Sequence, residues 1–163
     1  LAFYNSGKIA GASQRHKHLQ LVPLPLVPNG EVIPIQSMLA NAVFEGIVGT
    51  IPSFPFVHAF AKLNPNSVQS PEEAGKTTLE CYRTLMETVE LWDENSDRPL
   101  GPYNFLATRE WMLIVPRSQE NLAGIEVNSL GFAGALLVRN EDQMKIMKDS
   151  GPLNVLKTVG KSL

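Results

Sequence analysis

Hydrophobic and polar residues alternate along residues 16–22, and this period of two predicts a strand. One face of that strand carries His16, His18, Gln20 and Val22. Residues 1–5 (LAFYN) predict an earlier strand, and the turn-forming residues Asn5, Ser6 and Gly7 separate it from the histidine segment. The sequence therefore places two imidazoles and an amide side by side near its beginning.

The middle of the chain changes from a proline-rich loop to a long amphipathic helix. Residues 23–55 contain six prolines and predict mostly loop, with a short helix at 36–45. Residues 56–60 predict a strand. Ser70, followed by a proline and two glutamates, is typical of a helix start. Apolar residues at three-to-four spacing then predict a helix of about 24 residues.

The last third of the chain predicts a hairpin. The segments YNFLAT (103–108) and WMLIVP (111–116) flank two charged residues, as the two strands of a hairpin flank their turn. Residues 130–138 (LGFAGALLV) predict a further strand, with a helix as the competing interpretation.

Two helices are predicted at the end of the chain. Asn140 is expected to cap a helix through EDQMKIMKD, with Gln143 in the capping-box position. Gly151-Pro152 is expected to open a last helix that continues to about Val159. The complete pattern favours an α+β fold, an antiparallel sheet with helices packed on one face.

The two segments with paired strands resemble each other and suggest a degenerate internal repeat. The first copy is YN (4–5) with HLQLVP (18–23), and the second is YN (103–104) with WMLIVP (111–116). Aligning them places Trp111 at the position of His18 and Arg109 at that of His16. The second copy would keep the scaffold and lose the chemistry; a chance likeness of short strands is the alternative.

Composition and charge narrow the class of protein. The chain has 163 residues, enough for one domain with a core, and 44% of them are hydrophobic. A net charge of −2 argues against nucleic acid as the partner, and no apolar run reaches the roughly 20 residues of a membrane helix. The single cysteine, Cys81, suits a reducing compartment. Because the chain begins at Leu1, we expect a fragment of a longer protein.

The first thirty residues differ in charge from the rest of the chain. They contain Lys8, Arg15 and Lys17 and no acidic residue, so this segment favours an anionic ligand. Gly11 allows a tight turn, and Ser13 and the Gln14 that follows offer short hydrogen-bond donors. The composition is that of a loop that holds phosphate oxygens.

The histidine pair allows two other interpretations. An H-x-H pair on a strand can chelate zinc, but only His58 and Cys81 remain as further ligands, and both are distant in sequence, so we predict no metal site. A surface strand with two unrelated histidines is the second alternative. The position of two of the three histidines on one strand face beside Gln20 argues against this alternative. In the phosphate interpretation, a neutral imidazole at His18 can attack phosphorus and Gln20 can donate to a phosphate oxygen.

The motif resembles the active-site signature of the transferase branch of the histidine-triad superfamily. That branch includes galactose-1-phosphate uridylyltransferase and the diadenosine tetraphosphate phosphorylases, also called ATP adenylyltransferases. The matched positions are Asn5, Gly7, Gly11, Ser13, Gln14, His16, His18 and Gln20. Arg15, Lys17 and Leu19 replace two prolines and a glycine of the uridylyltransferases. These replacements, and the likeness along nearly the whole chain, favour the phosphorylases.

The resemblance implies a role for each matched residue. His18 would be the nucleophile that forms a covalent AMP–histidine intermediate, His16 would orient or support it, and Gln20 would take the position of the third histidine of the triad hydrolases. The phosphate- or nucleotide-binding residues would be Asn5, Gly11, Ala12, Ser13 and Gln14, and Asn104 in the second copy. The net reaction would convert diadenosine tetraphosphate and phosphate to ATP and ADP.

The resemblance also implies an organisation, partners and a location. Residues 1–163 would form one histidine-triad-like domain fragment, with the active-site strand and phosphate loop in 1–30 and the degenerate second half with its C-terminal helices in 31–163. Partners would be nucleotides, without nucleic acid or membrane. No covalent cofactor is implied, whereas a divalent cation can accompany the polyphosphate. The location would be cytoplasmic, with the nucleus as a second site.

The remaining alternatives concern function and the weaker residues. A nucleotide-binding relative without activity and a sugar-phosphate uridylyltransferase are the competing functions. Arg109 and Arg117 are expected at the surface, although both could meet phosphate. Trp92 and Trp111 are expected in the core, and His58 is expected as a packed histidine of a strand.

Overall fold

A computed structural model describes residues 1–163, which form a seven-stranded antiparallel sheet with helices. The strands are β1 (Ala2–Asn5), β2 (Gln20–Leu21), β3 (Val43–Glu45), β4 (Val48–Thr50), β5 (Ala59–Lys62), β6 (Tyr103–Ala107) and β7 (Trp111–Pro116), in the order β2-β1-β6-β7-β5-β4-β3. A separate hairpin joins β8 (Asn121–Leu122) and β9 (Ile125–Glu126). The helices are α1 (Gln36–Leu39), α2 (Pro71–Thr88), α3 (Ser129–Phe132), α4 (Glu141–Ser150) and α5 (Pro152–Val159). None of them combines the length and apolar character that crossing a bilayer requires.

The sheet is covered on both faces. Alternate residues of β7 point in opposite directions, so Leu113 and Val115 join the larger core with α5, while Met112 and Ile114 join the core under α2. The predicted α+β class with an antiparallel sheet is confirmed. The prediction that all helices pack on one face is wrong, because α2 has an apolar stripe of its own that covers the second face.

The hairpin of β6 and β7 is confirmed and forms the centre of the sheet. Phe105 lies opposite Ile114, and all six residues of β7 are buried. Since β7 is flanked by β6 and β5, it has neighbours on both edges and both faces, which explains its unbroken apolar sequence.

The long helix begins as predicted and ends earlier. The hydroxyl of Ser70 accepts from the backbone N–H of Glu73 at 3.1 Å, with proline at the first helical position. The helix has 18 residues and not about 24, because Glu90 adopts a φ of 58° and the chain turns. That turn directs the side chains of Val89 and Leu91 into the core under the helix.

Two further predicted elements differ in extent. The helix predicted at 36–45 stops at Leu39, and Val43–Glu45 forms the edge strand β3 instead. The strand predicted at 56–60 begins only at Ala59, because the residues before it pack their aromatic rings into the core rather than pairing.

The strand predicted at 130–138 is wrong. Asn128 caps the one-turn helix α3 by accepting from the N–H of Leu130 at 2.9 Å, so the competing helical interpretation holds for its first residues. Gly134 then has a φ of +92°, and a Cβ there would lie 2.6 Å from Pro34. Close packing of this small-residue segment against a loop replaces strand pairing.

The two C-terminal helices are confirmed. The side chain of Asn140 accepts from the N–H of Gln143 at 2.9 Å, and the amide oxygen of Gln143 accepts from the N–H of Arg139 at 2.9 Å. Helix α5 spans Pro152–Val159 and buries an apolar face that includes Val155 and Val159.

The strands that carry the two YN pairs lie side by side. In the antiparallel pairing of β1 with β6, Asn5 lies directly opposite Asn104. The hairpins β1–β2 and β6–β7 extend from this pair to either side, so the local arrangement has an approximate two-fold axis at the two asparagines.

The outer strands of these hairpins define a different alignment from the one expected. In the first hairpin, Gln20 lies opposite Phe3. The two-fold axis relates Phe3 to Pro102 of the second hairpin, and the N–H of Arg117 donates to the carbonyl of Pro102 at 2.9 Å. Arg117 is therefore the spatial counterpart of Gln20. The alignment expected from the sequence, with Trp111 at the position of His18, would have made Leu113 the counterpart of Gln20.

Candidate active site

The histidine segment is a loop that ends in a short edge strand. The strand predicted at 16–22 is wrong in extent, because only Gln20 and Leu21 pair with β1. The backbone N–H groups from Ser13 to Leu19 donate no hydrogen bond within the protein. The chain therefore moves away from β1 in this stretch and leaves space beside Asn5.

Most of the predicted site residues meet in that space. A small cavity, which we call the histidine cavity, is lined by Asn5, Ala12, Ser13, Gln14, His16, His18 and Gln20. Although the backbone is irregular, the alternation still directs both imidazoles and the amide of Gln20 to one side. The arrangement combines two nitrogen bases with several neutral hydrogen-bond donors around one point.

The two imidazoles lie edge to face. Their ring centroids are 5.9 Å apart and their planes meet at 88°. Neither ring makes a hydrogen bond to the protein, and both side chains are exposed. No acceptor of the protein fixes the tautomer of His18, so both of its ring nitrogens are open to a ligand.

The loop before the histidines is a tight turn whose backbone N–H groups already donate hydrogen bonds within the turn. The N–H groups of Gly11 and Ala12 donate to the carbonyls of Lys8 and Gly7 at 2.8 and 3.1 Å. Gly11 has a φ of +84°, and a Cβ there would lie 2.8 Å from the carbonyl oxygen of Val127. Gly11 therefore serves the site by close approach of two backbones.

The available donors follow that turn. The backbone N–H groups of Ser13 and Gln14 are unpaired, and both residues line the histidine cavity. Unpaired N–H groups in succession after a tight turn suit the binding of an anion.

The cavity opens into a cationic cleft of about 550 Å³. Its charged side chains are Lys8, Arg15, Lys17 and Glu120. None of the three cations forms an ion pair with a carboxylate, since the four ion pairs of the chain lie elsewhere. The local positive charge expected from the first thirty residues is therefore concentrated at this cleft and is available to a polyanion.

A second cleft, of about 390 Å³, begins on the other side of Ala12 and Ser13. Its wall is formed by Glu120, by residues 126–128 at the end of the β8–β9 hairpin, and by Leu137, Val138, Arg139 and Gln143. The sequence pattern gave no signal for this cleft, because its wall is drawn from parts of the chain that are distant in sequence.

The amide of Asn5 is held in one orientation. Its Oδ1 accepts from the backbone N–H of Ser129 at 2.8 Å and from Nδ2 of Asn104 at 2.8 Å, with the hydroxyl of Ser129 at 2.7 Å. A backbone N–H can only donate, so the oxygen of Asn5 must face Ser129. The Nδ2 of Asn5 has no protein partner and is not fully buried, and Asn5 is one of the residues that line the histidine cavity.

Asn104 does not line the cavity. It is buried, and its Nδ2 donates both to Asn5 and to the carbonyl of Ala10 at 2.8 Å. Its Oδ1 accepts from Arg117 at 2.6 Å. Because Asn104 is buried and both polar atoms of its side chain already have partners, the structure gives it no direct access to a ligand in the histidine cavity.

Arg117 was expected at the surface and is buried. Its guanidinium donates to Oδ1 of Asn104 and to backbone carbonyls of Val159, Val127, Gln119 and Glu120. Burial lowers the pKa of Arg117 to about 10, an effect that Glu120 opposes, so the group stays charged at neutral pH. The signal that sequence reasoning missed is its position immediately after the wholly buried strand β7.

The remaining residues named from the sequence lie away from the cavity. His58 is buried, accepts from the N–H of Ile51 through Nε2 at 2.7 Å and faces the carbonyl of Phe56 through Nδ1 at 2.8 Å. It is therefore packed as expected. Trp111 lies in the core, Trp92 is half-buried against the α2 core, and Arg109 is exposed as expected. No three histidine, cysteine, aspartate or glutamate side chains are grouped as metal ligands.

Two family models match the chain. Residues 52–162 match the model of the ATP adenylyltransferase C-terminal domain, and residues 1–41 match that of the Ap4A phosphorylase N-terminal domain. The second match contains the histidine segment.

Individual proteins give the same result. Diadenosine 5',5'''-P1,P4-tetraphosphate phosphorylase 2 of Saccharomyces cerevisiae is 30% identical over 159 residues, covering 89% of this chain and 46% of the yeast protein. The crystal structure of yeast Ap4A phosphorylase Apa2 has a TM-score of 0.75 at 25% identity and covers 98% of this chain and 55% of that one. Its complex with AMP has a TM-score of 0.76 at 26% identity, with coverages of 99% and 55%. The chain thus spans about half the length of these relatives.

Proposed function

The chain belongs to the ATP adenylyltransferase family, and on that premise we propose that it carries the nucleotidyltransferase site of a diadenosine tetraphosphate phosphorylase. The observation that carries the proposal is the histidine cavity, in which His18 lies beside Gln20, Asn5 and the loop donors. Nucleotides are the substrate class that the family and the solved relative with AMP support.

The proposed reaction has two steps at one phosphorus atom. A ring nitrogen of His18 forms a bond to the phosphorus of an AMP unit, while the bond from that phosphorus to the bridging oxygen breaks and ATP leaves. An oxygen of inorganic phosphate then bonds to the phosphorus, and the nitrogen–phosphorus bond breaks to release ADP. Because an N–P bond is labile, His18 serves as a temporary carrier of AMP.

The surrounding donors stabilise the charge that develops in these steps. The unpaired backbone N–H groups of Ser13 and Gln14 and the Nδ2 of Asn5 can each donate to a nonbridging phosphate oxygen. The amide of Gln20, which also lines the cavity, can do the same. A glutamine cannot protonate a leaving group, which suits ATP and ADP because both leave as stable anions.

The clefts on either side of the cavity suit an extended substrate. The cationic cleft offers three unpaired positive charges to a polyphosphate, and the second cleft adds space next to Ser13. No covalent cofactor enters the proposal, and a divalent cation takes part only as a component of the polyphosphate substrate. The single buried cysteine suits a cytoplasmic location, with the nucleus as a second site.

The test is incubation of the full chain with diadenosine tetraphosphate and inorganic phosphate, followed by separation of the nucleotides. Phosphate-dependent formation of ATP and ADP supports the proposal. Formation of ATP and AMP without phosphate indicates a hydrolase instead. Binding of AMP without any product supports a nucleotide-binding relative that lacks activity.

A further inference from the structure

A chain of buried polar side chains runs from the core to the histidine cavity. It consists of Arg117, Asn104 and Asn5, joined by hydrogen bonds of 2.6 Å and 2.8 Å. We call it the amide relay. Arg117 and Asn104 are buried and do not line the cavity, whereas Asn5 is half-buried and does.

The relay has only one consistent direction. A guanidinium has no acceptor, so the atom of Asn104 that faces Arg117 must be its oxygen. The Nδ2 of Asn104 then faces Asn5 and the carbonyl of Ala10, which can only accept. Consequently the oxygen of Asn5 points inward, and its NH₂ group is left for the cavity.

We propose that Asn104 and Arg117 are positioning residues, which act through Asn5 by presenting its NH₂ group to a phosphate oxygen in the histidine cavity. This inference rests on the proposed function for the identity of the ligand. An amide in the opposite orientation would direct a carbonyl oxygen at the phosphate and repel it. The relay therefore converts a buried positive charge into a fixed hydrogen-bond donor at the site.

The burial of Arg117 supports a specific task for the residue. Four of its five acceptors are backbone carbonyls, from the segments around β8, β9 and α5, and no carboxylate forms an ion pair with it. The guanidinium thus ties the loops that form the second cleft to the strand that carries Asn104. Burying a cation costs free energy unless its donors are all used, and here five bonds use them.

The decisive variant is Asn104→Asp, which keeps the shape and places an oxygen where Nδ2 was. Arg117 retains an acceptor, so the core contact survives, but Asn5 now faces an oxygen on one side and the N–H of Ser129 on the other. No orientation of the Asn5 amide satisfies both neighbours. We expect the affinity for AMP, measured by calorimetry on the full chain, to fall about tenfold or more. Asn104→Ser removes the contact with Asn5 without adding charge, and we expect a smaller loss.

A double-mutant cycle separates positioning from general destabilisation. In an Asn5→Ala background, Asn104→Asp should change AMP affinity by no more than about twofold, because the group through which it acts is gone. Asn66→Asp adds the same charge in the exposed segment Pro65–Ser67 and should leave the affinity unchanged. This segment follows β5 at the end of the sheet where β6 turns into β7. An unchanged affinity in Asn104→Asp, or a loss equally large in the Asn5→Ala background, would overturn the proposal.

A measurement without ligand tests the amide relay independently of the proposed function. The side-chain NH₂ signal of Asn5 in a nitrogen–proton correlation spectrum should shift in Asn104→Asp and remain in place in Asn66→Asp. If the unaltered chain binds no AMP, the proposed function fails, and the Asn5 signal still tests the relay. A signal that stays in place in Asn104→Asp would contradict the relay.

Discussion

The rings of His16 and His18 stand edge to face, with centroids 5.9 Å apart and planes at 88°, and neither has a hydrogen-bond partner in the protein. Two adjacent imidazoles in one cavity raise the question of which one is the nucleophile. The proposed chemistry assigns that role to His18 and a supporting role to His16.

Substitution of the two histidines separates these roles. His18→Asn should reduce turnover by about a thousandfold or more, because it removes the atom that carries AMP. His16→Asn, its matched control, should slow the reaction and still form the adduct. The measurement is trapping of radiolabelled AMP on the acid-quenched protein, together with the rate of ATP formation. An adduct that survives in His18→Asn and disappears in His16→Asn would reverse the assignment.

Gln20 should act through its donor and not through its size. Gln20→Ala removes one hydrogen bond to a charged oxygen and should lower turnover by about 10²-fold. Gln20→Glu is nearly the same shape but presents negative charge to the phosphate, so it should lower turnover further. The rates of ATP formation for the three proteins give the order directly. Equal rates in all three would show that Gln20 does not contact the reacting phosphate.

The turn at Gly11 should be intolerant of a side chain. Gly11→Ala combines a positive φ with a Cβ placed 2.8 Å from the carbonyl of Val127, and should reduce the free energy of unfolding by about 1–3 kcal/mol. Gly75→Ala in the interior of α2 meets no neighbour within 4 Å and should raise it by about 0.5–1 kcal/mol. Urea unfolding of both variants provides the test. A loss at Gly75 or a gain at Gly11 would contradict these expectations.

His58 should make stability depend on pH. Burial lowers its pKa from 6.5, an effect that the hydrogen bond to Phe56 opposes, and its Nε2 accepts from Ile51, so the fold favours the neutral ring. Below pH 6.5 the unfolded chain binds a proton that the folded chain excludes. Its stabilising contribution is therefore complete above pH 6.5 and is lost as the pH falls towards the lowered pKa, by at most about 1.4 kcal/mol per pH unit.

The variant His58→Gln tests that linkage. Glutamine keeps an acceptor for Ile51 and does not titrate, so the free energy of unfolding should decline less between about pH 7 and about pH 5 than in the unaltered chain. Urea unfolding at several pH values gives both slopes. Equal slopes would assign the pH dependence to other groups.

The strongest sequence signals were those that one segment carries alone. The caps at Ser70 and Asn140 and the two strand segments that flank the β6–β7 turn depend on neighbours a few residues away, and all three are present in the structure. Predictions that needed distant neighbours were less accurate. The segment 130–138 is apolar enough for a strand, but its Gly134 packs against Pro34 instead.

The candidate site shows the same difference between features set by local spacing and features set by distant neighbours. The grouping of His16, His18 and Gln20 follows from their spacing of two, and the structure brings them to one cavity. The position of Arg117 behind that cavity could not be predicted, because its five partners come from four separate segments of the chain. Asn104 was associated with the site through its resemblance to Asn5, but only the strand pairing shows that it supports Asn5 from within.

By itself the sequence determined the elements with strong local periodicity, the cationic first segment and the identity of most residues that line the histidine cavity. Only the tertiary structure decided that helices cover both faces of the sheet, that the histidines precede a two-residue strand, and that Asn5 has a fixed orientation. The reason is physical: periodicity and capping depend on interactions within one turn or strand, whereas burial and amide orientation depend on atoms contributed by segments far apart in the chain.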